Sequence, residues 1–216
     1  DEKKLGVLHP HTIATLKNLI NLYESQGKYS EAEVFYTKMV DLYNNVFDKY
    51  SPEIAAASND LARIYAAQKK FPEAEALLRK ALEINEHNLG SDNRGVAVSL
   101  NNLATVYTNE AKYSEAEPLL VRALAIDEKA FGKDSPALVT DLNNLATVYS
   151  YMNKYQESEA LYKRALDITE RSFGQEHPDL VMTLSNMSAL YEKLGRSEEA
   201  KALRERAKKI YESRLP

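Results

Sequence analysis

Apolar and polar positions alternate along the chain with a helical period. In the segment 100–107, the apolar residues Leu100, Leu103, Val106 and Tyr107 fall at positions i, i+3, i+6 and i+7. This spacing places them on one face of an α-helix. Segments of the same kind follow one another along the chain, separated by short polar connections. The pattern predicts an all-α protein built from amphipathic helices.

The helical pattern itself repeats every 42 residues. One block recurs five times, at Lys17–Tyr23, Asn59–Tyr65, Asn101–Tyr107, Asn143–Tyr149 and Ser185–Tyr191. Each repeat contains two amphipathic helices, and neither can bury its apolar face alone, so stacked neighbours form a continuous core. We therefore predict a single domain, 1–216, that is an α-solenoid of five helix–turn–helix repeats and ten helices, wound as a right-handed superhelix. The repeats span approximately 10–48, 52–90, 94–132, 136–174 and 178–214.

Local signals mark where the helices begin and end. Ser51-Pro52 and Ser135-Pro136 predict the starts of first helices, because serine caps an orphan amide and proline gives up a donor that the first turn does not use. Gly27 and Gly195 predict left-handed turns between the two helices of a repeat. Capping boxes at the start of second helices are predicted at Ser30–Glu33 and Ser114–Glu117.

The two ends of the sequence differ in polarity. In the fifth repeat, Ser197, Arg204 and Lys208 replace residues that are apolar or aromatic in earlier copies, as a solvent-facing cap requires. The N-terminal end lacks such a cap, so we expect it to pack on a preceding segment, on a partner or on a second copy of the chain. Its apolar residues are Leu5, Val7, Leu8 and Ile13.

Composition narrows the function classes. The 216 residues include 28 Lys and Arg against 32 Asp and Glu, finely interleaved, which gives a net charge of −4 and no basic surface for nucleic acid. The sequence contains no run of 18 or more apolar residues, the length that a membrane-spanning helix requires. The absence of cysteine excludes disulfides and thiolate metal sites, and it fits a reducing compartment. We expect a cytoplasmic protein that binds neither nucleic acid nor membranes.

Candidate catalytic groups are few. The four histidines are His9, His11, His87 and His177, all at or near connections between repeats. No serine or carboxylate constellation accompanies any of them, and no glycine-rich phosphate loop follows a strand. His9 and His11 could contribute to a metal site, but no third ligand lies nearby. The sequence predicts no enzyme activity, no metal site and no cofactor.

The blocks resemble the tetratricopeptide repeat, in the 42-residue form typical of kinesin light chains. The resemblance is clearest at Asn143–Tyr149 (NNLATVY), Lys154–Leu166 (KYQESEALYKRAL) and Ile168–Pro178 (ITERSFGQEHP). It implies a protein-binding scaffold or adaptor whose first helices line a concave groove that takes an extended or helical peptide. A structural or dimerisation module, or a regulatory domain of a larger signalling protein or enzyme, remains an alternative.

The resemblance also implies which positions face the groove. Asparagine is frequent among them although it is a poor helix-interior residue, and its amide offers both a donor and an acceptor to a peptide backbone. The alternative role for these amides is to brace neighbouring repeats. If the amides face a ligand, alanine at Asn101 and Asn143 should weaken binding with little change in melting. The implied groove residues are Lys17, Asn18, Asn21, Asn59, Asp60, Arg63, Asn101, Asn102, Thr105, Asn143, Asn144, Thr147 and Asn186.

One ligand class of this family is disfavoured. Some tetratricopeptide domains clamp a C-terminal carboxylate with basic and asparagine side chains from three repeats. Lys17 and Asn21 match the first pair, but Asp60, Val98 and Asn102 occupy the other positions. Asp60 would repel a carboxylate, so a strongly acidic ligand is not expected.

Overall fold

Within residues 10–213, which the computed structural model describes, the backbone forms ten α-helices and no β-strand. This confirms the predicted all-α fold of repeated helix pairs. The apolar N-terminal residues Leu5, Val7 and Leu8 lie outside the described residues, and side chains are described from Ile13 onward. The helices are α1 (Pro10–Ser25), α2 (Tyr29–Val46), α3 (Pro52–Ala67), α4 (Phe71–Leu89), α5 (Arg94–Asn109), α6 (Tyr113–Phe131), α7 (Val139–Tyr151), α8 (Tyr155–Phe173), α9 (Leu180–Lys193) and α10 (Ser197–Glu212).

The chain divides into two compact units, 1–106 and 107–216. In the first unit, Ile20, Ile54 and Ile64 are almost fully buried and form a core with side chains of α2 and α4. In the second unit, Tyr162 and Met187 pack together where α8 meets α9. In each unit the apolar stripes that the sequence predicted are the buried faces of the helices.

The turn between the two helices of a repeat has the same form in all five copies. A residue with positive φ ends the first helix, and the next amide donates to a carbonyl five residues earlier, as Lys112 N does to Tyr107 O at 2.8 Å. This is the hydrogen bond of a Schellman motif. The expected glycines Gly27 and Gly195 adopt this conformation. The other three repeats place a side chain there, at Lys69, Ala111 and Asn153.

Glycine at position 111 is expected to stabilise the protein. Ala111 has a φ of 59°, and a Cβ in this region costs about 1–2 kcal/mol, part of which the larger unfolded-state entropy of glycine offsets. We expect Ala111→Gly to raise the free energy of unfolding by about 0.5–1 kcal/mol, measured by urea unfolding. The reverse change, Gly195→Ala, is the matched control and should lower stability by a similar amount. Equal stability of Ala111→Gly and wild type would contradict a strained turn.

The predicted serine cap is present at the start of α3, but the predicted capping boxes are absent from α2 and α6. Ser51 caps α3 as predicted, and its hydroxyl accepts from the amide of Glu53 at 3.3 Å. The predicted capping boxes are wrong, because α2 and α6 begin one residue earlier, at tyrosine, after Lys28 and Lys112. The serines therefore lie within the first turn, and no side chain caps either helix.

Cations at the start of second helices join successive repeats. The Lys70 ammonium lies over the Tyr65 ring, 5.4 Å from its centroid, and binds the Glu33 carboxylate of the preceding repeat at 2.7 Å. Hydrogen bonding to Lys70 is the main reason that the pKa of Glu33 is lowered. The same arrangement recurs twice in the second unit, as Lys154 with Tyr149 and Glu117, and as Arg196 with Tyr191 and Glu159.

The last helix is polar at the positions where earlier second helices are apolar. The side chains of Arg204 and Lys208 are 63% and 71% exposed, and Ser197 is exposed too. Arg204 forms an ion pair with Glu192 at 2.6 Å. These residues face solvent as the sequence predicted.

Candidate functional site

The predicted groove residues lie on the first helices, in rows that differ in exposure. In one row Lys17 is exposed, Asn59 and Asn101 are half-buried, and Asn143 is 1% exposed. In the next row, one residue further along each helix, Asn18, Asp60 and Asn102 are exposed, and Asn144 and Asn186 are half-buried. A third row contains Asn21, Arg63, Thr105 and Thr147, of which only Thr147 is not exposed. The surface that a ligand can reach is therefore formed mainly by the second and third rows of the first unit.

Asn143 does not face a groove. Its amide nitrogen donates to the carbonyl of Val139 at 2.8 Å and to the Thr183 hydroxyl of the following repeat at 2.9 Å. A peptide cannot reach this side chain, so its expected role in gripping a ligand is wrong, and it braces two repeats as the alternative predicted. Asn101 also bonds back to its own helix, through the Ala97 carbonyl at 3.3 Å.

Two adjoining cavities open on the first unit. Cavity A has a volume of about 320 Å³ and is lined by Asn59, Asp60, Ala62, Arg63, Ala66, Leu78, Asn102, Thr105 and Val106. Cavity B has a volume of about 310 Å³ and is lined by Lys17, Ile20, Asn21, Glu24, Tyr36, Met39, Asp60 and Arg63. Because Asp60 and Arg63 line both, the cavities lie on the two sides of α3. We call them together the α3 groove.

The α3 groove has an apolar floor beneath a polar rim. Leu78 and Val106 lie beneath cavity A, and Ile20 and Met39 lie beneath cavity B, each no more than 3% exposed. The rim consists of the amide, hydroxyl and charged side chains that the sequence predicted on α1, α3 and α5. The floor residues Leu78, Met39 and Tyr36 come from second helices and were not predicted as site residues.

Arg63 is held in place at the centre of the groove. Its guanidinium donates to Glu24 Oε1 at 2.6 Å and lies 3.4 Å from the Tyr36 hydroxyl. Burial raises the pKa of the Tyr36 phenol to about 12, so this hydroxyl stays neutral. The positive charge of Arg63 is thereby matched by Glu24 within the groove.

Asp60 lies on the rim of both cavities without such a match. Within residues 13–213 its carboxylate forms no hydrogen bond or ion pair. Desolvation by the groove walls raises its pKa, and the opposing effects of Arg63 and Lys17 do not cancel that rise. The carboxylate therefore has no positive partner close enough to offset its desolvation.

In the second unit the corresponding positions make contacts within the protein. The Thr147 hydroxyl donates to the Asn143 carbonyl at 2.8 Å and lies 2.8 Å from the Tyr162 hydroxyl. Burial raises the pKa of Tyr162 to about 12. Thr147 thus packs against α8, whereas its counterpart Thr105, which also donates to the carbonyl four residues earlier, is exposed beside cavity A.

The histidines that are described lie in aromatic stacks. His87 stacks on Tyr50 with ring centroids 3.7 Å apart, and His177 stacks on Phe173 at 4.6 Å. His9 lies outside the described residues, and the side chain of His11 is not described. In the described part of the chain, no three His, Asp or Glu residues are grouped so that they could hold a metal ion.

None of the helices between residues 10 and 213 combines the length and the apolar character that crossing a bilayer requires.

Comparison with known sequences decides the family. The tetratricopeptide repeat profile matches four overlapping stretches, residues 11–87, 53–129, 95–171 and 142–213. The chain belongs to the tetratricopeptide repeat family. No curated protein sequence matches it significantly.

Solved structures of other tetratricopeptide repeat proteins share its fold. A Podospora anserina protein, described as a kinesin light chain with nearly identical repeats, is 24% identical over 96% of this chain and 99% of its own, with a TM-score of 0.80. BtubC from P. vanneervenii is 25% identical over 98% of this chain and 85% of its own, with a TM-score of 0.79. YrrB, a repeat protein with an unusual peptide-binding site, is 19% identical over 89% of this chain and 83% of its own, with a TM-score of 0.54. The repeats are thus of the kinesin-light-chain-like kind that the sequence indicated.

Proposed function

We propose that this protein is an interaction scaffold that binds an extended peptide segment of a partner protein in the α3 groove. The observation that carries the proposal is the pair of adjoining cavities on α3, with buried apolar side chains below and exposed amide, hydroxyl and charged side chains above. Sites of this make-up take apolar side chains while a few polar groups fix their orientation. The peptide-binding site of the structurally similar YrrB supports the same use of the fold.

An extended segment suits two cavities that adjoin along one surface. Side chains of an extended backbone alternate in direction, so residues i and i+2 point the same way and can enter neighbouring cavities. The exposed Asn102 amide can both donate to and accept from the peptide backbone between them. The groove thereby binds backbone and side chains at the same time.

A neutral, bulky residue at position 102 is expected to block binding. Phage-displayed random peptides of roughly 12 residues would be selected on the 216-residue protein. The dissociation constants of the selected peptides would then be measured by fluorescence anisotropy. We expect Asn102→Tyr to weaken binding at least about tenfold, because the ring fills cavity A.

The matched control places the same side chain on an outer helix. Ala76 is exposed on α4 and lines neither cavity, so Ala76→Tyr should leave the dissociation constants unchanged. Urea unfolding of both variants should match wild type. If Asn102→Tyr binds the selected peptides as tightly as wild type does, the α3 groove is not the binding site.

A further inference from the structure

We infer that the segment bound in the α3 groove pairs a lysine or arginine side chain with Asp60 and inserts the apolar side chain two positions along the segment into cavity A. This inference rests on the proposed function and specifies its ligand. It assigns Asp60 as the residue that selects the ligand by charge.

The position of Asp60 is the first reason. It is exposed on α3 and lines both cavities, so any segment that follows the groove passes its carboxylate. Among the described residues no hydrogen-bond donor or cation binds that carboxylate. A desolvated charge of this kind favours a ligand of opposite charge and disfavours one of like charge.

The other charged residues of the groove do not remove the preference of Asp60 for a basic ligand. Arg63 binds Glu24 at 2.6 Å and forms no ion pair with Asp60, although its charge partly opposes the rise in the pKa of that carboxyl. Among the described residues, Lys17 is the other cation that lines the groove, and it lies in cavity B. In cavity A the charge of Arg63 is already matched by Glu24, so a basic ligand side chain fits best beside Asp60 on that side of α3.

The apolar lining of cavity A is the reason for expecting an apolar side chain in the ligand segment. Ala62, Ala66, Leu78 and Val106 line it, and all but Ala66 are at most 3% exposed. Val98 lies one turn before Asn102 on the same face of α5 and is 49% exposed, which extends the apolar surface beyond the cavity. An aliphatic side chain in the cavity contacts these residues and covers part of Val98, while a basic side chain two positions along the extended segment reaches Asp60.

The raised pKa of Asp60 is consistent with this arrangement. Desolvation is the largest cause of the rise, and a cationic ligand group beside the carboxylate would reverse it. The charged form that binds the ligand is thus favoured when the ligand is present.

The experiment uses peptides selected from a phage-displayed random library on wild-type protein. Lysine or arginine two positions from an aliphatic residue should be enriched among them. Asp60→Asn should weaken their binding about tenfold, and so should exchanging the basic peptide residue for methionine. Asp60→Lys should instead prefer the peptide in which that residue is glutamate. Because the peptide changes leave the protein intact, they give the answer even if a variant folds poorly.

The outcomes separate this inference from the proposed function. One contrary result is that the selected peptides bind Asn102→Tyr more weakly than wild type and yet lack an enriched basic residue. Another is that they bind Asp60→Asn as tightly as wild type. Either result would overturn the Asp60 pairing and leave the groove as the binding site. Failure to select any peptide, or selection of peptides indifferent to both variants, would overturn both.

Discussion

Replacing Asn143 with aspartate is expected to lower the free energy of unfolding by about 3 kcal/mol. The side chain is 1% exposed, and its amide nitrogen donates both to Val139 O and to the Thr183 hydroxyl. Aspartate has nearly the same shape but no donor, so it places a carboxylate oxygen against a carbonyl oxygen in a buried position. The change can be measured as a lower midpoint of urea unfolding at neutral pH.

The control for this variant is the same substitution at an exposed asparagine. Asn102→Asp changes the same atoms on α5, where the side chain is exposed, and should alter stability by less than about 0.5 kcal/mol. Similar stability of Asn143→Asp and Asn102→Asp would show that Asn143 does not brace the fourth and fifth repeats. The buried position of Asn143 also replaces the earlier expectation that alanine there leaves melting nearly unchanged.

Replacing Glu159 with glutamine is expected to lower stability at neutral pH by about 1–2 kcal/mol. Glu159 binds Lys163 at 2.7 Å, Tyr191 Oη at 2.7 Å and Arg196 at 3.1 Å. These contacts, the Lys163 hydrogen bond foremost, lower its pKa to about 2 from an ordinary value of 4.5. The expected loss of stability is smaller than the full lowering of the pKa implies, because solvent reaches part of this cluster.

The pH dependence of this effect has a definite sign. Since the folded-state pKa lies below the unfolded value, the carboxylate contributes its full stabilisation above about pH 4.5, and that contribution is lost as the pH falls towards 2. The difference between wild type and Glu159→Gln in urea unfolding should therefore be constant from pH 6 to 8 and shrink below pH 4.5. The exposed Glu198→Gln on α10 is the control and should show little difference at any pH. A Glu159 effect that grows on acidification would contradict the ion-pair account.

The fold was predictable because its signal is repeated. Each of the stripe residues Leu100, Leu103, Val106 and Tyr107 is buried, as a helical period of apolar residues requires. The left-handed glycines and the Ser51 cap were predictable for a different reason, since each follows from the chemistry of one residue. The capping boxes were wrong because the sequence motif does not fix where the helix begins. The helices begin one residue before Ser30 and Ser114, so these serines lie in the first turn.

The site was predictable only in part. Asn143 and Asn102 both belong to the asparagine rows, but one is buried and the other exposed, because neighbouring rows on a helix lie about 100° apart. The sequence alone does not reveal which row turns towards the next repeat. Nor does it reveal that Leu78 and Met39 reach the groove from second helices, since core residues of this type recur throughout the repeats.

The role of recurring cations was also missed. Lys70, Lys154 and Arg196 are separated by multiples of 42 residues, so their periodicity was present in the sequence. Their partners are glutamates 37 residues earlier, in the preceding repeat. Only the packing of successive helix pairs brings such distant residues together.

Amide chemical-shift mapping tests most directly whether the α3 groove is the binding surface. The ¹⁵N-labelled protein would be titrated with a peptide selected on wild type, and the shifts assigned along α1, α3 and α5. We expect the largest amide shift changes at residues that line the two cavities, among them Asp60, Asn102 and Thr105, and no change at Ala76 on α4. Changes confined to the exposed faces of α2 and α4, with the lining residues unmoved, would contradict it.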